Sequence, residues 1–89
     1  MEIVHDAETH RFSVQVEGHR GVIDYTLRDG VMVITHTEVP PVIGGRGIAA
    51  ELTRAALDTA RREGRKVVPA CSYAAAFIRR HPEYADLLA

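Results

Sequence analysis

Gly44, Gly45 and Gly47 surround Arg46 directly before a helical pattern begins at Ile48. Glycines at this density let the backbone approach a ligand closely. The first N–H groups of a helix have no partner within it and point along the positive end of its dipole. Gly44, Gly45, Arg46, Gly47, Ile48 and Ala49 can therefore offer a fan of amides to a phosphate, with Arg46 adding a permanent charge. The plainer use of such glycines is tight packing of a helix on a sheet. Farther along, Cys71 ends an apolar run and precedes a second helix, a position that favours a thiolate. A free cysteine that serves only as a small apolar residue is the competing reading. His36 and Glu38 stand two residues apart, on one face of a strand, and either is a candidate base or simply a buried or solvated polar residue there. Tyr73, at the start of the second helix, reads by itself as a half-buried packing residue.

The loop also restricts which phosphate ligand is expected. No Lys-Ser/Thr follows the glycines, which excludes a Walker loop. Gly45-x-Gly47-x-x-Ala50 fits a degenerate dinucleotide fingerprint, but that motif needs a tight turn directly after a strand and an acidic residue ending the next one. Here Pro40 and Pro41 intervene, and the next apolar run ends in Ala70-Cys71. A nicotinamide or flavin site is not expected. His5, His10 and His19 lack metal-ligand spacing with any cysteine or carboxylate, so no metal site is expected.

The elements that must position these residues follow from the periodicity. Ile3 to His5 suggests a short edge strand. Phe12, Val14 and Val16 alternate with polar residues, as do Ile23, Tyr25 and Leu27, giving strands with one buried face. Gly18-His19 and Asp29-Gly30 are the expected hairpin turns, the latter a strong two-residue signal. Val31 to Val39 is apolar on both faces, the pattern of a central strand covered on both sides. Pro40 and Pro41 end it. From Ile48 the period is helical for about 19 residues, roughly 28 Å at 1.5 Å per residue, up to a stop at Gly64. Ile48, Leu52, Ala55, Ala56, Thr59 and Ala60 form its apolar face; Glu51, Arg54, Asp58, Arg61 and Arg62 face water. Such a helix can recross the sheet and deliver Lys66–Cys71 as a parallel strand by a right-handed crossover. A second helix, about Ser72 to Arg80, ends before Pro82, and Glu83 to Leu88 is a last turn. The expected fold is α+β: a mixed, mainly antiparallel sheet with one βαβ crossover, in a single domain over residues 1–89.

Composition limits the partners. The net charge of −1 supplies no global field for nucleic acid or anionic lipid. Arg61, Arg62, Arg65 and Lys66, and then Arg79, Arg80 and His81, read chiefly as solvated helix ends that suit the macrodipole. A lone cysteine makes no internal disulfide. The N-terminus lacks the plan of a signal peptide and no apolar run matches a membrane span, so a cytoplasmic protein is expected.

Antiparallel strands, glycine loop, amphipathic helix and parallel strand, in that order, resemble the core of the GNAT superfamily of acyl-CoA N-acyltransferases. That superfamily's pyrophosphate motif is Arg/Gln-x-x-Gly-x-Gly/Ala. Gly45 and Gly47 fill its glycine positions, while Val42 stands where Arg or Gln is usual. The chain is similar over nearly its whole length to a subgroup of very short GNAT-like proteins. The shared segments are His36-Thr37-Glu38-Val39-Pro40, Gly45-Arg46-Gly47-Ile48-Ala49, Val68-Pro69-x-Cys71-x-Tyr73 and His81-Pro82-Glu83-Tyr84. The resemblance implies a minimal GNAT fold that binds acetyl-CoA, its pantetheine arm between the strand ending at Val39 and the strand ending at Cys71. It implies acetyl transfer to an unidentified amine, with Tyr73 protonating the CoA thiolate and His36 or Glu38 serving the amine. Transfer directly or through an acetyl-Cys71 intermediate both remain open. The helices with which larger relatives build a substrate lobe are missing, which implies a shallow acceptor site or one completed by another chain. A CoA-binding module without catalysis is the alternative, and a small interaction domain a third.

Overall fold

The computed structural model describes residues 1–89. Five strands form one sheet in the order β1-β2-β3-β4-β5: β1 Ile3–Asp6, β2 Arg11–Val16, β3 His19–Arg28, β4 Val31–Glu38 and β5 Val67–Pro69. The first four are an antiparallel meander, and β5 joins β4 in parallel after the crossover helix α1, Ile48–Arg62. Helix α2 spans Ser72–Arg80, and a 3-10 segment, Pro82–Leu87, closes the chain against α1 and α2. The α+β fold with a mixed, mainly antiparallel sheet is the one expected. No helix is long and apolar enough to cross a membrane.

Several boundaries differ from the periodicity. The β2–β3 hairpin turns on Glu17-Gly18, not Gly18-His19, since Val16 pairs with His19. Both turn residues take positive φ, 51° and 79°, as a type I′ turn requires. Asp29 and Gly30 do the same at 51° and 81°. Helix α1 has 15 residues, not 19: Glu63 caps it and Gly64 turns left-handed at φ 69°. Strand β5 is also shorter than Lys66–Cys71. The N–H groups of Ala70 and Cys71 both donate to Ile34 O, so the chain leaves the ladder there.

The largest correction concerns β4. It lies between β3 and β5, but helices cover only one of its faces. Met32 and Ile34 are buried against the helices, whereas Thr35, His36 and Glu38 are exposed. Its β-branched residues reflect strand propensity, not burial on both sides. Apart from Val22, the buried apolar side chains belong to one cluster between the sheet's inner face and the helices. The stripe on α1 is wider than expected, because α2 and the 3-10 segment pack on its flank. Thr53 and Leu57 are buried with Leu52 and Ala56, Ala55 is half-buried, and Arg54 and Asp58 are half-buried instead of facing water. Leu52 is fully buried at the centre of this stripe. Leu52→Ala is expected to cost ~2–5 kcal/mol in urea unfolding, much of a small domain's stability; a loss below ~1 kcal/mol would place the core elsewhere.

Candidate functional site

The meander carries one irregularity that shapes the site. Asp24 pairs with His36 but Tyr25 pairs with Ile34, so Thr35 is an extra residue in β4. Such a bulge reverses the alternation that follows it. Thr37, paired with Ile23, therefore points to the helix side, while His36 and Glu38 share the open face with Asp24 and Val22. The ladder between β4 and β5 ends at Ile34 and Pro69. Beyond it, the edge of β4 from Thr35 to Glu38 pairs with no strand on that side, so the sheet is split there.

At the top of that split lies the glycine loop. A 3-10 turn, Pro41–Ile43, brings the chain around, and Gly44 N–H closes it on Pro41 O at 2.9 Å. Gly45 and Gly47 then take φ 75° and 76°, where a Cβ would be strained. Gly47 is the N-cap of α1 and has no side chain to satisfy the first turn. The N–H groups of Gly45, Arg46, Gly47, Ile48, Ala49 and Ala50 donate to no acceptor in the chain. A cleft of about 250 Å³ opens here, lined by the expected Val39, Gly44, Gly45, Gly47, Ile48 and Ala49 together with Ile43, Ala50 and Tyr73.

Helices α1 and α2 run side by side in the same direction. Ala50 and Tyr73 share the cleft, Arg54 lies over Phe77, and Asp58 accepts from the Tyr84 hydroxyl. Both positive helix ends thus converge on one opening, and the first turn of α2 holds no acidic residue.

Arg46 is not among the lining residues. Its guanidinium pairs with Glu17 in the β2–β3 turn, at 3.0 and 3.1 Å, and holds that carboxyl below the usual range. An exposed pair of this kind is worth only ~0–1 kcal/mol, so exchange of the carboxylate for a phosphate is inexpensive.

Tyr73 reaches the cleft from the first turn of α2, its ring 6.4 Å from that of Phe77. Burial raises its pKa, opposed by the Arg80 and Arg54 charges, so the phenol keeps its proton at neutral pH. Cys71 is half-buried and caps α2; its sulfur accepts from Ala74 N–H at 3.4 Å and lies 3.4 Å from the Thr37 hydroxyl. Neither partner is a base at neutral pH. His36 Nε2 and Glu38 Oε1 are 3.1 Å apart and exposed on the open face. The expected residues therefore form three groups: Tyr73 with the glycine loop, Cys71 at the split with Thr37, and the His36–Glu38 pair across the sheet. Thr37, Ile43 and Ala50 were not expected. Ala50 could have been found as a small residue one turn after Gly47, whereas Thr37 depends on the bulge.

No group of three or more His, Cys, Asp or Glu side chains converges in a way that would hold a metal ion. The arrangement can seat a phosphate on free amides, place an extended arm along an unpaired strand edge, and offer a proton donor on one side and a proton acceptor on the other.

Similarity to known proteins agrees with this geometry. The family model of the GCN5-related N-acetyltransferases matches residues 11–87. Protein NATD1 of Mus musculus is 34% identical over 85 residues, covering 92% of this chain and 77% of its own. NATD1 of Homo sapiens is 33% identical over 85 residues, covering 92% and 75%. A solution structure from Staphylococcus aureus, described as GCN5-like, superposes with a TM-score of 0.77 at 26% identity, over 99% of this chain and 87% of its own. With its glycine loop, split sheet and crossover helix, the chain belongs to the GCN5-related N-acetyltransferase family.

Proposed function

We propose that the chain transfers the acetyl group of acetyl-CoA to an amine, directly, with the cofactor's pyrophosphate on the amides of Gly45–Ala50. The observation that carries this reading is the run of N–H groups without acceptors at the mouth of a cleft that also holds Tyr73. The amides of Gly45, Gly47, Ile48 and Ala49 receive the phosphates, and Arg46 can swing from Glu17 to join them. Gly44, expected among them, only lines the approach because its N–H is closed on Pro41 O. Val39 and the free edge of β4 receive the pantetheine arm. Tyr73, protonated at neutral pH, gives its proton to the departing thiolate. Glu38, held by His36, takes a proton from the amine, which approaches from the open face of the sheet. That face carries a hollow of about 490 Å³ bordered by Asp6, Arg11, Arg20 and Asp24.

The placement of Cys71 favours a second route. Its sulfur caps α2 and accepts a backbone hydrogen bond, so it is positioned to carry the acetyl group in passing. A CoA-binding module that does not turn over remains the alternative to catalysis.

Steady-state assays with acetyl-CoA and a panel of amines test the reading. Glu38→Gln is expected to lower kcat by roughly 10²-fold, the lower end for general-base catalysis, with unchanged CoA affinity. Unaltered kcat would remove Glu38 from the proton path, and no turnover of any amine would favour the non-catalytic module.

A further inference from the structure

Three arginines are half-buried: Arg11, Arg54 and Arg65. Arg11 is held by Asp24 and Arg65 by Glu63, but Arg54 makes no ion pair. Its guanidinium lies 5.4 Å from the centre of the Phe77 ring. A guanidinium stacked on an aromatic face keeps its edge donors free, and partial burial strengthens its attraction to an anion. Gly47, Ala50 and Arg54 stand at i, i+3 and i+7 on α1, one face of the helix. Tyr73, Phe77 and Arg80 stand at i, i+4 and i+7 on α2, likewise one helix face, and contacts link the two stripes. Arg80 is exposed and also has no ion pair. Arg54 lies about 6 Å along α1 from Ala50, at 1.5 Å per residue, with its guanidinium over Phe77 and near the Tyr84 hydroxyl.

From this, resting on the reading that the cleft takes CoA, we propose that Arg54 and Arg80 form a second anion subsite for the 3′-phosphate of the cofactor. The pyrophosphate would occupy the amides, and the phosphomonoester, one ribose away, the two guanidinium groups. The chain would thereby distinguish CoA from its 3′-dephospho form. The charges of Arg80 and Arg54 both lower the pKa of the Tyr73 phenol, which lines the cleft.

Calorimetric titration of the protein with CoA and with 3′-dephospho-CoA tests the subsite. CoA is expected to bind roughly ten- to a hundredfold more tightly, the range of a charge-assisted contact. Arg54→Met keeps an apolar stem over Phe77 and deletes the charge. It should remove most of that gap by weakening CoA alone, and Arg80→Ala should narrow it. Equal binding of the two ligands by the wild type, or a gap that survives both substitutions, overturns the subsite and leaves the cleft intact. If neither ligand binds, the CoA reading and the subsite fall together. The wild-type comparison decides the matter even if a variant does not fold.

Discussion

Gly47→Asp is expected to abolish CoA binding, by more than roughly 10²-fold, while the chain stays folded. The carboxylate would stand among the amides that receive the pyrophosphate, and like charges on partly desolvated groups repel strongly. Folding should survive because a Cβ at Gly47 meets no atom within 4 Å. The left-handed backbone costs ~1–2 kcal/mol for a side chain, and aspartate is among the residues that tolerate it best. Gly47→Asn supplies the control: nearly the same shape and backbone preference, without the charge. It should retain most of the affinity that Gly47→Asp loses. Titration calorimetry, with circular dichroism as the folding control, reads both. If the two variants lost affinity equally, the cause would be loop conformation and not charge, and the amide cradle would lose its main support.

Tyr73→Phe and Cys71→Ala separate the two chemical routes. In direct transfer, Tyr73→Phe deletes the only proton donor in the cleft lining and is expected to lower kcat by roughly 10²–10⁴-fold. Cys71→Ala should then retain most activity. Its cost would be the loss of a weak sulfur cap on α2, about 1 kcal/mol or less of stability. In the acetyl-cysteine route the pattern reverses: acetyl-CoA without acceptor adds one acetyl mass to the protein, and Cys71→Ala loses turnover. The account favours the first pattern because Tyr73 lines the cleft and the sulfur has no base among its hydrogen-bond partners. An acetyl adduct on Cys71 together with an active Tyr73→Phe would reverse the assignment.

The loop, the crossover and α2 were legible because their signals are local. Three glycines before an amphipathic run specify a helix start wherever the rest of the chain lies, and Cys71-Ser72 before an apolar period marks α2. What could not be read depends on pairing between distant residues. The extra residue at Thr35 has no local signature, yet it turns Thr37 toward Cys71 and leaves His36 and Glu38 on the other face. The engagement of Arg46 with Glu17 follows from where the β2–β3 hairpin ends in space. Arg54 reads as a solvent-facing residue on a helical wheel and becomes half-buried only because Phe77 arrives from α2. The open face of β4 has no sequence signal for a related reason: the β-branched residues that suit a covered strand also suit an exposed one.

The central claim is that the amides of Gly45–Ala50 hold the pyrophosphate of CoA. At 89 residues, the protein suits two-dimensional ¹H–¹⁵N spectra recorded during titration with CoA. The account predicts saturable shifts, largest at Gly45, Gly47, Ile48 and Ala49, then at the first turn of α2 around Tyr73 and along β4 from Thr35 to Glu38. Shifts confined to the open face around Arg11, Arg20 and Asp24, or no saturable shift at millimolar CoA, would contradict it.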